Sequence, residues 1–408
     1  MGVQNNPYTL KRCAFVLDSS GIKENVNVVV ERGLIREVGN NEDGDEVDCR
    51  NYVLLPGLVN SHTHASMIFL RGFFDDGELM QWLGEMWREE EKVSGEVMRI
   101  SSELAVLEML SSGTTAFIDM YFNPEDIREL STKYGIRSMA GPILMNHKSA
   151  DEVVKQMRSL GSTPLFSPLL NVHSLYATDL KTIRELRDAL RGDEHLHIHL
   201  SETRDEVFQI KREHGLFPVE VIWKEGLIPY VHGVHLGWVT SWELNYLVNS
   251  RGVTHCPTSN MKLATGGAFP MREALDLGVN VTLGTDGAAS NNSLNMFIEM
   301  KNAVLLQRHN YWTTRISAKD VFKAATVNGY KLLGKKGGMI EPGYVADFIL
   351  VNKNSLYPLK ADRVLSHLIY NSDRVDVEKV IIDGKIVFEK GLFTETARKL
   401  AERLSLYL

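Results

Sequence analysis

The sequence predicts an α/β fold, a (β/α)8 barrel of the TIM type with a small β-sandwich domain built from both chain termini. Three observations predict it. Through the middle of the 408 residues, apolar strand-like runs alternate with stretches of helical spacing. Counted along the chain these runs make eight strands, which suits a closed parallel barrel. Strand–turn–strand patterns stand before and after that region, so the two ends are expected to meet in one small domain. An open doubly wound sheet would want a glycine-rich phosphate turn after an early strand, and the sequence has none.

Taken in order, residues 27–30 and 34–38 flank Glu31-Arg32-Gly33 as a hairpin, and the acidic stretch 40–48 reads as a solvated loop. The eight strands are expected at 52–59, 114–120, 136–144, 165–173, 195–200, 228–232, 253–256 and 279–284. Their dense Val, Ile and Leu content fits strands buried on both faces. Apolar spacing predicts helices over 95–111, 125–134, 150–160, 179–190 and 318–333. Strands return at 348–351 and around the turn within 380–387, and 395–404 reads as a helix. The expected domains are 1–56 with 342–394 for the β-sandwich, 57–341 for the barrel and 395–408 for a C-terminal helix.

Composition narrows the function. The apolar 44% and charged 24% are those of an ordinary globular protein. A net charge of -7 gives no general attraction to nucleic acid or anionic membrane. No apolar run approaches a membrane span. The N-terminal residues lack a secretory pattern, and Asn6 spoils a myristoylation motif at Gly2. Cys13, Cys49 and Cys256 are too few and scattered for a disulfide framework or a Cys-based zinc knuckle, so the reducing cytoplasm is the expected compartment.

The chemistry gathers at strand ends, where barrels of this type build their active sites. His62 and His64 are two apart on one strand and present their imidazoles to one side. A lone His-x-His is more often a core histidine beside a loop histidine. Here the other strand ends supply His173, His199 with Glu202, His232 with His235, His255 and Asp286, and a random scatter would not choose those places. His199 lies at the top of its strand, whereas His195 and His197 lie deeper, with structural roles. His255 is either a support for the site or simply packed. His147, His214, His309 and His367 read as surface residues. Three neutral imidazoles and a carboxylate suit zinc, or iron as a second choice, and the expected ligand set is His62, His64, His199 and Asp286. A catalytic zinc also needs a water, which Asp286 would orient or deprotonate. Glu202, three residues past His199, supplies a second carboxylate at the same mouth.

These residues resemble a known family. Pro56-Gly57-Leu58-Val59-Asn60-Ser61-His62-Thr63-His64 with Leu70-Arg71-Gly72, His199-Leu200-Ser201-Glu202-Thr203, and His232-Gly233-Val234-His235-Leu236 look like the amidohydrolase superfamily. So do Ser259-Asn260-Met261-Lys262-Leu263 and Gly284-Thr285-Asp286-Gly287-Ala288-Ala289-Ser290-Asn291-Asn292. Within it the chain is similar to the methylthioadenosine, S-adenosylhomocysteine and 5′-deoxyadenosine deaminases. Guanine deaminases and chlorotriazine hydrolases are near relatives.

The resemblance covers nearly the whole chain and implies a mononuclear zinc enzyme that deaminates an adenosine-type nucleoside hydrolytically. Two-metal relatives carry a carboxylated lysine on the fourth barrel strand, and 165–173 has none. The resemblance further implies Glu202 as proton shuttle and His232 as the residue that positions the attacking water. It implies His173, Trp82, Glu91 and Ser290 as substrate contacts. Trp82 would cover the nucleoside, and Glu91 would bind ribose hydroxyls, although Arg88-Glu89-Glu90-Glu91-Lys92 also reads as a solvated helix face. Relatives acting on S-adenosylhomocysteine carry an arginine where this chain has Pro142, which weakens the case for a charged 5′ tail. A same-fold deaminase or hydrolase of a free base or triazine is the alternative, and a non-catalytic binding protein on the same barrel is a remoter one. A homo-oligomer is expected.

Overall fold

Residues 6–145 and 148–408 are described by the computed structural model. The expectations placed on residues 1–5 and on His147 therefore lie outside the described residues. Both ends of the chain build one mixed sheet. From the N-terminal side come β1 (Tyr8–Leu17), β2 (Ile22–Glu31), β3 (Leu34–Gly39), β4 (Asp45–Asp48) and β5 (Tyr52–Pro56). Nearly three hundred residues later the chain returns to the same sheet as β16 (Phe348–Asn352), β17 (Val377–Ile382) and β18 (Lys385–Glu389). The strand order is β18-β17-β16-β5-β1-β2-β3, with β4 paired to β1. The stretch 40–48 is thus not all loop. Its last four residues pair in parallel with β1, where Val47 lies opposite Leu10.

The expected strand 52–59 divides at Gly57. Its first half is β5 in the mixed sheet, and its second half begins β6 (Leu58–Thr63) in a parallel sheet. The sequence there allows no side chain, because a Cβ on Gly57 would lie 2.0 Å from Thr115 Oγ1. The Gly57 amide donates to Asp347 O at 3.0 Å, tying the crossing point to the start of β16. Close by, Arg137 forms a buried bidentate pair with Asp347 at 2.6 and 3.0 Å, and Tyr330 donates to the same carboxylate at 2.8 Å.

The remaining strands form two parallel sheets. One has the order β10-β8-β7-β6, from β7 (Thr114–Asp119), β8 (Arg137–Ala140) and β10 (Phe166–Pro168). The other has the order β15-β14-β13-β12-β11-β9. Its strands are β9 (Ile143–Leu144), β11 (Leu170–Val172), β12 (Leu196–Leu200), β13 (Val231–His235), β14 (Gly252–His255) and β15 (Val281–Leu283). Strands β8 and β9 are one extended stretch broken at Gly141-Pro142, and β10 and β11 one stretch broken at Leu169. Helices α1 (Leu79–Glu90), α2 (Gly95–Ser111), α3 (Pro124–Tyr134), α4 (Ala150–Leu160), α5 (Leu180–Ala189) and α6 (Arg204–His214) follow the early strands. The long stretch expected at 318–333 is two helices, Ala318–Ala325 and Val327–Leu332, separated at Thr326.

The parallel strands alternate in a way their composition hides. Leu170 and Val172, Leu196 and Ile198, and Val253 join the apolar cluster that includes Ile183, Leu186 and Ile210 of the helices. The intervening residues Asn171, His197, His199, His232 and Thr254 are also buried but face the other way, where Asn171 pairs with His197 and His232 with Thr254. Period two therefore sorts the chain into an apolar side that holds the helices and a polar side that carries the chemistry.

Candidate active site

The site lies where β6, β12, β13 and β15 end. A buried carboxylate fixes the turn after β6. Asp119 Oδ1 accepts from Thr63 Oγ1 at 2.8 Å and from the Ala65 amide at 2.7 Å. Burial nevertheless pushes the Asp119 carboxyl up to about 6. His64 between them turns its Nδ1 to Met120 O at 2.6 Å. A carbonyl only accepts, so His64 carries its proton on Nδ1 and, when neutral, bares Nε2. That Nε2 lies 3.1 Å from Asp286 Oδ1. His62 Nε2 lies 3.3 Å from the same oxygen and 3.2 Å from His199 Nε2.

Asp286 sits just past β15 with φ of +65°, a left-handed backbone that a non-glycine residue adopts at a cost. Its Oδ2 accepts from Ser259 Oγ at 2.5 Å and its Oδ1 from the Gly287 amide at 2.8 Å. Burial works against the charged carboxylate, but the His62 and His64 imidazoles outweigh it and hold the group well below the usual range. Burial also opposes a charge on His64, and Asp286 overcomes that too and raises it. His62 has no such surplus: burial pushes it down to about 3.

Together these groups attract a cation. Ring lone pairs and a carboxylate converge with little between them to relieve their repulsion except a proton or a metal ion. Two ligand atoms on one tetrahedral zinc lie roughly 3.3–3.6 Å apart. The spacings of 3.1–3.3 Å around His62 and Asp286 come close to that. The donor set of nitrogen and carboxylate oxygen thus fits a metal such as zinc. His62, His199 and His235 form a second, overlapping group with ring nitrogens within 4.8 Å of one another.

A cavity with about 630 Å³ of empty space, partly open to solvent, stands above the cluster. His64, His173, His199, Glu202, His235 and Asp286 form its polar floor and side. Met67, Leu79, Trp82, Leu83, Met86, Trp87, Met120, Phe122, Ile143 and Leu263 form an apolar wall, much of it from α1. Glu202 is only 5% exposed. Burial, then Asp286, then Glu206 push its carboxyl well above the ordinary range. Its backbone is clamped: the amides of Ser201 and Glu202 donate to Glu206 at 2.9 and 2.8 Å. Ser201 again has a left-handed φ, of +49°. Burial pushes the cavity-lining His173 ring down to about 4.

Of the residues expected at the site, His62, His64, His199 and Asp286 come together, and Trp82, His173 and Glu202 line the cavity beside them. Three of the expected site residues, His232, Glu91 and Ser290, stand outside the cavity lining. His232 is not in the cavity wall; its Nε2 pairs with Thr254 Oγ1 at 2.5 Å and its ring stacks on His197. The expected strand 228–232 runs instead from Val231 to His235, after a short turn of helix. His235, with φ of +71°, swings its Nε2 to 3.6 Å from Glu202 Oε1. Glu91 is exposed past the end of α1, whereas Glu90 lines the cavity and accepts from Tyr121 OH at 2.6 Å. Ser290 is buried away from the cavity, its hydroxyl donating to Gly287 O at 3.1 Å. His255 is packed, with neither ring nitrogen bonded among the described residues.

A convergent set of imidazoles and a carboxylate, beside a buried glutamate in an apolar cavity, is the site of a metal-assisted hydrolase. Comparison with known proteins agrees. The amidohydrolase family matches residues 53–387. A 5-methylthioadenosine/S-adenosylhomocysteine deaminase of Pyrococcus furiosus is 36% identical over 387 residues, covering 90% of this chain and 91% of the relative. A 5'-deoxyadenosine deaminase of Methanothermobacter thermautotrophicus is 36% identical over 394 residues, covering 92% of each. The crystal structure of an adenosine deaminase from Xanthomonas campestris with bound zinc superposes with a TM-score of 0.89, at 29% identity and 98% coverage of both chains. The chain belongs to the amidohydrolase family, an enzyme family of metal-dependent hydrolases.

Proposed function

We propose that the protein deaminates an adenosine-type nucleoside hydrolytically, giving the inosine form and ammonia. The observation that carries this reading is Glu202, buried beside the cluster in a cavity walled by Trp82. The two nucleoside deaminase relatives, each 36% identical, support it. The metal would be a single zinc held by His62, His64, His199 and Asp286. Such an ion lowers the pKa of water toward neutrality and so supplies a hydroxide nucleophile. Glu202 gives its proton to the ring nitrogen next to the carbon that carries the amino group, so negative charge does not build up on the ring. His235, rather than His232, is placed to position the attacking water: Asn260 Nδ2 lies 3.2 Å from its Nδ1, leaving the ring proton on the Nε2 that faces Glu202. The proton of the added hydroxyl then passes to the amino group as the carbonyl forms, the C–N bond breaks and ammonia departs, and the proton lost by the attacking water restores Glu202. Trp82 covers the nucleoside, and His173 and Glu90 receive its ribose.

The same reading organises the fold. The two parallel sheets are one closed (β/α)8 barrel, 57–341, supported by the Asp286 amide donating to His62 O at 3.0 Å between the ends of β15 and β6. The mixed sheet is the small β-sandwich, 1–56 with 342–394, and 395–408 carries the last helix. The test is direct. Zinc-loaded protein incubated with 5′-deoxyadenosine should release ammonia and the hypoxanthine nucleoside one for one. Neither product forming under saturating zinc would refute the reading.

A further inference from the structure

The metal cluster rests on a lower layer of buried polar groups. Beneath His62 lies His197, and beneath His197 lies Asn171, all three without exposed surface. Asn171 and His197 are register partners on β11 and β12, as His197 and His232 are on β12 and β13. His62 Nδ1 is 3.0 Å from His197 Nε2, and His197 Nδ1 is 3.0 Å from Asn171 Oδ1. The Asn171 amide nitrogen donates to Gly141 O at 2.8 Å and points at Asp119 O, 3.4 Å away.

Those two carbonyls can only accept, so they fix which end of the amide is nitrogen. Asn171 Oδ1 therefore accepts from His197, whose proton is on Nδ1. A second proton would make His197 a sealed cation bonded only to Asn171 and His62, neither of them a carboxylate, and burial forbids that. Its Nε2 is thus bare and accepts from His62 Nδ1. His62 must then hold its proton on Nδ1, and its Nε2 lone pair is the one that faces His199 and Asp286. One amide sets the tautomer of two imidazoles in series.

We propose that Asn171 and His197 are positioning residues that hold His62 in its metal-binding tautomer and orientation, an inference that rests on reading His62 as a ligand. Ligating histidines usually lean their other nitrogen on a carboxylate, a carbonyl or water. His64 does so at Met120 O. His62 leans on another imidazole, so its state is decided one residue further down. The stack of His197 on His232, with centroids 4.5 Å and planes 13° apart, holds the plane of the intermediate ring.

Zinc affinity of the purified full chain, measured by competition with a chelator, tests this. His197→Phe should lose about 10- to 100-fold in affinity, the usual loss when a ligand's outer partner is removed. His197→Gln should recover most of that loss, because its amide oxygen can accept from His62 Nδ1. Asn171→Leu should fall between His197→Phe and wild type. Melting of each metal-free variant reports that it folds, and if His197→Phe does not, Asn171→Leu against wild type decides in the same way. Wild-type affinity in the positioning variants, with zinc lost in His62→Ala, overturns the inference and leaves the ligand reading standing. Equal losses in His197→Phe and His197→Gln also overturn it, since packing alone would then explain the effect. Undiminished zinc in His62→Ala removes the ligand reading and the inference together.

Discussion

Replacing Glu202 by glutamine removes an ionisable proton and almost no volume. The side chain is 5% exposed, and its backbone amide is held at 2.8 Å by Glu206, so the loop should keep its shape in the variant. What changes is chemistry. In the native site, burial and the Asp286 and Glu206 charges push the Glu202 carboxyl well above the usual range. In the proposed reaction it acts as an acid. An amide can donate a hydrogen bond to the ring nitrogen but cannot release the proton. Loss of a general acid–base costs two to four powers of ten, or about 3–5 kcal/mol on the barrier.

The assay is ammonia release at neutral pH from protein whose zinc content has been measured. KM should change much less than kcat, because the contacts made by Trp82, His173 and Glu90 are untouched. The wild type should lose kcat as pH rises through the raised Glu202 value, and the variant should lack that limb. Turnover within about threefold of wild type in a zinc-replete variant would refute the argument.

Four further outcomes follow from the same geometry. Chelation should abolish activity, and elemental analysis should find one metal per chain, lost in His64→Ala; two per chain would contradict the mononuclear site. The described residues lining the cavity include no lysine or arginine, and Lys148 turns its Nζ to Ile143 O at 3.1 Å. A carboxylate in that cavity would keep an uncompensated desolvation cost. Steady-state comparison should therefore give 5′-deoxyadenosine and methylthioadenosine higher kcat/KM than S-adenosylhomocysteine, and the reverse order would overturn this. Asp347→Ala strips Arg137, 6% exposed, of its bidentate partner and leaves it only the 3.4 Å ion pair with Asp383 among the described residues, so the change should cost up to about 3–5 kcal/mol in urea unfolding. Burial pushes the Glu299 carboxyl up to about 7, so the folded state binds the extra proton between about pH 4.5 and 7. Stability should fall through that window by up to about 1.4 kcal/mol per pH unit relative to Glu299→Gln, and a difference flat with pH would contradict it.

The sequence carried the outline of the site because its candidate ligands stand at or just past the ends of apolar runs that pair as neighbouring parallel strands. His62, His64, His199 and Asp286 converge for that reason. Finer placement depended on backbone that periodicity does not encode. Alternation along a strand cannot tell that β13 runs on to His235, nor that a left-handed φ there turns the ring toward Glu202. Glu89, Glu90 and Glu91 form one run at the end of α1, and only the helix's rotation against Tyr121 selects Glu90. Gly57 was legible as a glycine, but the Thr115 hydroxyl that requires it comes from a strand nearly sixty residues away. Asn171 and His197 looked like interior strand residues, and the hydrogen-bonded series from Asn171 through His197 to His62 appears only across three strands.

The central claim is the deamination of a nucleoside. Its most direct test is ammonia release by one zinc-loaded preparation across adenosine, 5′-deoxyadenosine, methylthioadenosine, S-adenosylhomocysteine, guanine and cytosine. The account predicts that the adenosine-type nucleosides release ammonia, with 5′-deoxyadenosine and methylthioadenosine foremost, and that the free bases release little. Turnover of guanine or cytosine with none of any nucleoside would contradict it.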